Sequence, residues 1–208
     1  REFEPLELLM DFREALDLLK LERHHHVLDI GCANGLFDLI LSACCQKLVA
    51  LEPVAELASQ AKDNLRGITN ITILNGHSAS LPIEDTSVDR VIMLQVLQLI
   101  PSDEHEQVVS EILRVMRPGG RAVFGSVPDL RHRDAFLEEY LTGVREATHL
   151  TKEQKKTIIE RNLRATWLNP DQWSELWPKK EAATQVLPLS QGHPHASHRF
   201  HFVVTKLG

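Results

Sequence analysis

Cysteine, clustered positive charge and long apolar runs are all scarce in this sequence, and each shortage excludes something. There are three cysteines. Cys44 and Cys45 are adjacent and Cys32 stands apart, so there is no disulfide framework and a reducing compartment is expected. Lys and Arg number 23 against 29 Asp and Glu, for a net charge of -6. The basic residues never cluster far enough to track a phosphate backbone, which disfavours a nucleic-acid partner. No signal peptide or membrane span is visible, so the expected location is cytoplasmic. No convincing catalytic triad or nucleophilic cysteine appears either. His193, His195, His198 and His201 crowd the C-terminal end. Their spacings fit no standard zinc pattern, and no cysteine or acid lies among them, so no metal is expected. On a strand, His195 and His201 would share one face and His198 the other. The run His24-His25-His26 reads as a connection from helix to strand.

What is present is a regular alternation of strands and helices. At 208 residues one domain is the expectation, and a doubly wound α/β domain fits. Leu8, Phe12, Leu16 and Leu19 recur at helical spacing over 3–21. Val27 to Ile30 is a short apolar run with one acid and reads as a buried strand. Leu36 to Ala43 reads as a helix. Between them Gly31 and Gly35 stand four apart, where the chain must turn tightly and a ligand can approach backbone without meeting a Cβ. The helix start adds free N–H groups and partial positive charge. The spacing Gly-x-x-x-Gly departs from the Gly-x-Gly-x-x-Gly dinucleotide fingerprint. Lys47 to Leu51 is a second strand, ending in Glu52-Pro53. A helix over 54–65 follows, then a third strand over 71–74, a fourth beginning at Asp89 and a fifth over 121–127. Asp103 and Glu106 have capping-box spacing before a helix that Pro118-Gly119-Gly120 is expected to end.

The rhythm then breaks. Arg131 to Ala147 and Thr151 to Ala165 read as helices, with Thr151 and Gln154 as a capping box. Asn169-Pro170 opens a short helix with Trp173 and Trp177. The extended segments 183–189 and 198–205 read as a hairpin, and Pro188 argues for an edge position in its first strand.

The run Asp29-Ile30-Gly31-Cys32-Ala33-Asn34-Gly35 resembles the first motif of class I S-adenosylmethionine-dependent methyltransferases. Gly76, Leu81, Pro82, Ser87 and Asp89 resemble a second family loop, and Leu113 to Gly120 a third signature. The resemblance implies a three-layer Rossmann-like α/β fold with a mostly parallel seven-stranded sheet in the order 3-2-1-4-5-7-6. It implies one domain over 1–208: an N-terminal helix over 1–24 that either packs on the sheet edge or also covers the cofactor, a cofactor-binding core over 25–127, a helical cap over 128–182 that walls the acceptor pocket, and a hairpin over 183–208. S-adenosylmethionine is the implied cofactor. Asp29, Gly31, Cys32, Ala33 and Gly35 would hold its methionine end, and Glu52 with Pro53 its ribose. His77, Ser78 and Ala79 would face adenine, with Met93 and Leu94 at cofactor-side positions. At His77 the family usually has an acid, and a neutral imidazole accepts from the adenine amino group only in one tautomer. Backbone groups of Ser78 and Ala79 would compensate.

The reaction so implied is methyl transfer to a small-molecule acceptor, at oxygen or nitrogen rather than carbon, by in-line displacement. Gln98 and His132 are the candidate catalytic residues. Nothing resembling Asn-Pro-Pro-Tyr follows the fourth strand, against methylation of adenine or glutamine amide nitrogen. Two other readings remain open: aminopropyl transfer, disfavoured by the lack of acid runs in the loops, and a non-catalytic relative that senses cofactor or binds a protein. The expected partner is a small-molecule substrate, and the chain is expected as a monomer, a homodimer or part of a longer protein.

Overall fold

The computed structural model describes residues 5–164 and 166–208. Residues 3 and 4 of the expected first helix, and Ala165 of the expected second cap helix, lie outside the described residues. In chain order the elements are α1 (Pro5–Leu19), β1 (His26–Ile30), α2 (Asp38–Cys44), β2 (Lys47–Glu52), α3 (Ala55–Asn64), β3 (Ile71–Asn75) and β4 (Val88–Leu94). Then come α4 (His105–Val115), β5 (Met116–Pro128), α5 (Arg133–Glu146), α6 (Lys152–Arg164), α7 (Pro170–Glu175), β6 (Ala182–Pro188) and β7 (Arg199–Lys206).

The sheet order is β3-β2-β1-β4-β5-β7-β6, as expected from the motifs. Strands β1 to β5 pair in parallel, and β7 runs antiparallel to both β5 and β6. Both faces of the central strands are covered, which is why they read as nearly continuous apolar runs. Alternate residues still go to opposite sides. Leu28, Phe124, Phe202 and Val204 pack with α4, Trp173 and Trp177. Val27, Ile92, Val123 and Val203 pack on the other face with Phe12, Leu19 and Leu41. Pro188 ends β6, which is indeed an edge strand.

Three local expectations need correction. Asp103 and Glu106 form no capping box: a 3-10 turn over Ser102–Glu104 precedes α4, and Glu104 caps it without a side-chain bond. That short turn already supplies hydrogen bonds to the entering chain, displacing the side-chain cap. The helix α4 ends at Val115, before Pro118-Gly119-Gly120. Those residues lie within β5 at a register shift against β4, with Gly119 at a φ of 76°. This is a bulge, a common role for glycine in a strand. At the hairpin, β7 begins only at Arg199, so His195 and His198 lie in the preceding turns rather than on a strand face. By contrast the Thr151 box is formed. Thr151 N–H donates to Gln154 Oε1 at 2.9 Å, and Gln154 N–H donates to Thr151 Oγ1 at 3.2 Å.

Candidate active site

Strand order reverses between β1 and β4, and in an open α/β sheet the crevice at such a switch lies beyond the carboxyl ends of the strands. There β1 runs into the turn 31–35. Three residues of it take left-handed backbone: Gly31 at φ 83°, Ala33 at 50° and Gly35 at 79°. Gly31 must be glycine, because a Cβ there would overlap the side chain of Val96. A Cβ on Gly35 would come within 2.6 Å of Leu65.

The turn is fastened to the end of β2. The N–H groups of Gly31 and Cys32 both donate to Leu51 O, at 2.7 and 3.2 Å. Buried Glu52 accepts from Ala33 N–H at 2.9 Å through one oxygen and from Val54 N–H at 3.0 Å through the other. A carboxylate has about four acceptor positions, so two remain after these bonds. Asn75 Nδ2 joins the end of β3 to the same corner, donating to Glu52 O at 2.8 Å and Pro53 O at 3.0 Å.

Two further carboxylates lie under the turn. Asp29 and Asp38 are both buried. Burial, followed by the neighbouring Asp38 and Glu52, holds the Asp29 carboxyl well above the usual carboxylate range. Burial lifts Asp38 up to about 6. Two carboxyls side by side in a dry site favour one shared proton. Burial and the same acids push the Cys32 thiol upward, so it is neither thiolate nor nucleophile.

The loop after β3 is held from an unexpected side. Leu81 N–H donates to Glu111 Oε2 at 2.7 Å. Arg114 bonds Leu81 O at 2.9 Å, Ile83 O at 2.8 Å, Asp85 at 2.6 Å and Glu111 at 2.8 Å. So α4 pins the segment that carries His77, Ser78 and Ala79. His77 itself is exposed, and Ser80 N–H closes a turn onto its carbonyl.

The structure thus gathers Asp29, Gly31, Cys32, Ala33, Gly35, Glu52 and Pro53 at one corner, with the loop of His77, Ser78 and Ala79 beginning there through Gly76 N–H on Glu52 O. Met93 instead packs in the sheet core, and half-buried Leu94 lies against Gly125. Gln98 follows the end of β4. Its Nε2 donates to Gln95 O at 2.8 Å. His132 belongs to a separate cluster at the exit of β5, with Nδ1 3.5 Å from Asp129 Oδ2. The residues missed in sequence are Val96, Asp38, Asn75, Glu111 and Arg114. An acid in the first helical turn or an ion pair on a helix is ordinary sequence, so none of them carries a local signal.

Residues 28–124 match the family model described as a methyltransferase domain. Over these residues, just under half of the chain, this protein is similar to the class I S-adenosylmethionine-dependent methyltransferases. An uncharacterized methyltransferase of Mycobacterium tuberculosis is 32% identical over 109 residues, covering 52% of this chain and 42% of that protein. The chain therefore spans less than half the length of that curated relative. Among solved structures, the YcgJ protein of Bacillus subtilis superposes with a TM-score of 0.66 at 14% identity, over 98% of this chain and 99% of its own. A phosphoethanolamine N-methyltransferase of Haemonchus contortus, solved with phosphoethanolamine and S-adenosylhomocysteine, gives 0.71 at 13% identity, over 97% of this chain and 43% of its own. At these identities the two structures share the fold of the methyltransferase domain.

Proposed function

We propose that this chain transfers a methyl group from S-adenosylmethionine to the oxygen or nitrogen of a small-molecule acceptor. The observation that carries this reading is the acidic corner at the switch of strand order. Glu52 holds the left-handed Ala33 turn there while keeping acceptor positions for a ligand. The donor set suits the cofactor. Glu52 would take the ribose hydroxyls, the left-handed turn from Gly31 to Gly35 would carry the methionine end, and the charge of Glu52 with the Asp29–Asp38 pair favours a cationic ligand. The loop pinned by Arg114 would take the adenine through Ser78 and Ala79.

When bound, the cofactor supplies an electrophilic methyl group on a positively charged sulfur. The chain's task is then positioning, with the acceptor held in line and water kept out. The turn 31–35 and Glu52 would hold the cofactor, which would supply the methyl group and keep the electron pair of the carbon–sulfur bond. A hydroxyl acceptor also loses its proton to base or solvent. Gln98, whose Nε2 donates to Gln95 O beyond β4, would face the acceptor. The cap of α5 and α6 would form the wall. The absence of a convincing nucleophile fits direct transfer. No helix among the described residues is long and apolar enough to cross a membrane.

Calorimetric titration with S-adenosylhomocysteine tests the reading. The native chain should bind at micromolar concentration. Glu52→Gln retains an acceptor for the turn but loses the charge, and should bind at least tenfold more weakly. A folded native chain that binds neither S-adenosylhomocysteine nor S-adenosylmethionine would sink the enzyme reading in favour of an interaction role.

A further inference from the structure

We propose that the acceptor chamber lies beneath the cap between Gln98, Trp167 and His198, and that it takes a small phenol or catechol. This rests on the methyltransferase reading and adds the class of acceptor to it.

The argument begins with polar atoms that have no partner. His198 is buried, its Nδ1 lies 3.0 Å from Ser197 Oγ, and its Nε2 has no hydrogen-bond partner. Gln98 spends its Nε2 on Gln95 O, while its buried Oε1 is unpartnered. Trp167 leaves a buried Nε1–H unpartnered. An unpaired buried polar group is costly, and native structures contain few of them. These three belong to one neighbourhood. Thr166 N–H donates to Gln98 O at 3.1 Å, which sets Trp167 one residue from Gln98. The Trp167 ring is 6.4 Å from the His198 ring. Trp173 and Trp177 also have unpartnered N–H groups, but both are sealed among Phe124 and Phe202 in the sheet core. Trp167 is only half-buried.

The walls are flat rings. Phe136 stacks on His198 at 4.1 Å and 28°, lies 5.2 Å from Tyr140 at 16°, and lies 5.4 Å from Trp167. On its other side His198 lines a cavity of about 240 Å³ with Asp129, Arg131, His132, Pro188 and Arg199. Its position matches the proposed reaction. β6 runs parallel to β5 because both are antiparallel to β7. The ends at Pro128 and Pro188 and the start at Arg199 therefore share the sheet edge on which the Gly31 turn lies. The larger cavity, about 410 Å³ around Leu113, Glu181 and Lys206, lies at the opposite edge.

Charge decides between a flat neutral ligand and an anion. Arg131 is committed to Asp129, at 2.6 and 2.9 Å, and Arg199 donates to Ser126 O at 2.8 Å. Burial, then Arg199 and His132 nearby, pushes His198 down to about 4, so its ring is neutral near pH 7. Neutral rings with one acceptor and one N–H donor suit a phenolic hydroxyl, which gives one hydrogen bond and takes another.

The test uses the full chain loaded with S-adenosylhomocysteine and titrated with phenol, catechol and inorganic phosphate. Phenol and catechol should bind, and should quench tryptophan fluorescence. In Trp167→Phe, which keeps a ring in the stack, the quenching should vanish and the affinity should fall about fivefold or more. Gln98→Leu should weaken phenol binding similarly while leaving affinity for S-adenosylhomocysteine within twofold. Phosphate binding in preference to phenols overturns the proposal, as does phenol affinity unchanged in both variants. S-adenosylhomocysteine binding without phenol binding defeats this inference alone. Loss of both in the folded native chain defeats the underlying function.

Discussion

Asp38 and His198 show how single buried side chains set opposing responses to pH. The Asp38 carboxyl moves from an ordinary 3.8 to about 6 through burial. The native state therefore holds its proton more tightly than the unfolded state. The associated stability is complete below 3.8 and is lost as pH rises through about 6. His198 moves the other way, from 6.5 to about 4. Its contribution is present above 6.5 and is lost as pH falls towards 4. The two effects overlap and partly cancel in the native chain, so variants are needed to separate them. Relative to the native chain, Asp38→Asn should gain stability between pH 4.5 and pH 7.5, and His198→Phe should lose it. Each relative change should be on the order of 1–3 kcal/mol in urea unfolding. Equal shifts at the two pH values for either variant would show that its burial does not control its titration.

Among the elements, α4 does more than cover the sheet. Its Glu111 and Arg114 hold the loop between β3 and β4 by the backbone of Leu81 and Ile83. That loop has little regular structure to order it, so its conformation depends on these bonds. Arg114→Met keeps much of the apolar stem and removes the guanidinium. It should cost roughly 1–2 kcal/mol of stability from carbonyls left unpaired. Amide exchange over 76–87 should accelerate, and affinity for S-adenosylhomocysteine should fall about tenfold. Native affinity in this variant would remove the loop from the cofactor site. Sequence shows the helix and the loop separately, but an (i, i+3) Glu–Arg pair looks like any solvated helix pair until the partner loop lies beside it.

Across the whole molecule, the two ends of the chain are joined by acids and histidines. His201 Nδ1 accepts from Ser126 N–H at 3.2 Å, so Nε2 carries the proton it donates to Glu14 of α1 at 2.9 Å. His193 Nε2 lies 3.2 Å from Asp11, which also accepts from Gln95 at the end of β4. His195 lies 3.7 Å from Glu7. Glu7, Asp11 and Glu14 recur along one face of α1, and the hairpin supplies the partners. Replacing His201 with Phe strands the buried Ser126 N–H and takes one partner from Glu14, which keeps Ser190, at roughly 1–3 kcal/mol. Glu14→Gln keeps an acceptor and should cost about 1 kcal/mol or less. Urea unfolding distinguishes them, and amide exchange in α1 should accelerate more in the first. Equal small losses would mean that apolar packing alone docks α1.

The division between what was legible and what was not follows from range. Sequence by itself determined the strand runs, the Gly31–Gly35 turn, Glu52 at a strand end and the edge position of Pro188, because glycine backbone freedom, apolar burial and proline's missing N–H act within a few residues. Through its motifs it also determined the order of the sheet. Only the tertiary structure decided that the C-terminal histidines face acids of the first helix, that Arg114 holds a loop beyond β3, and that Asp29 and Asp38 share a buried site. Those interactions join residues nine to nearly two hundred positions apart, and a charge or an imidazole carries no mark of its partner until folding removes the water between them.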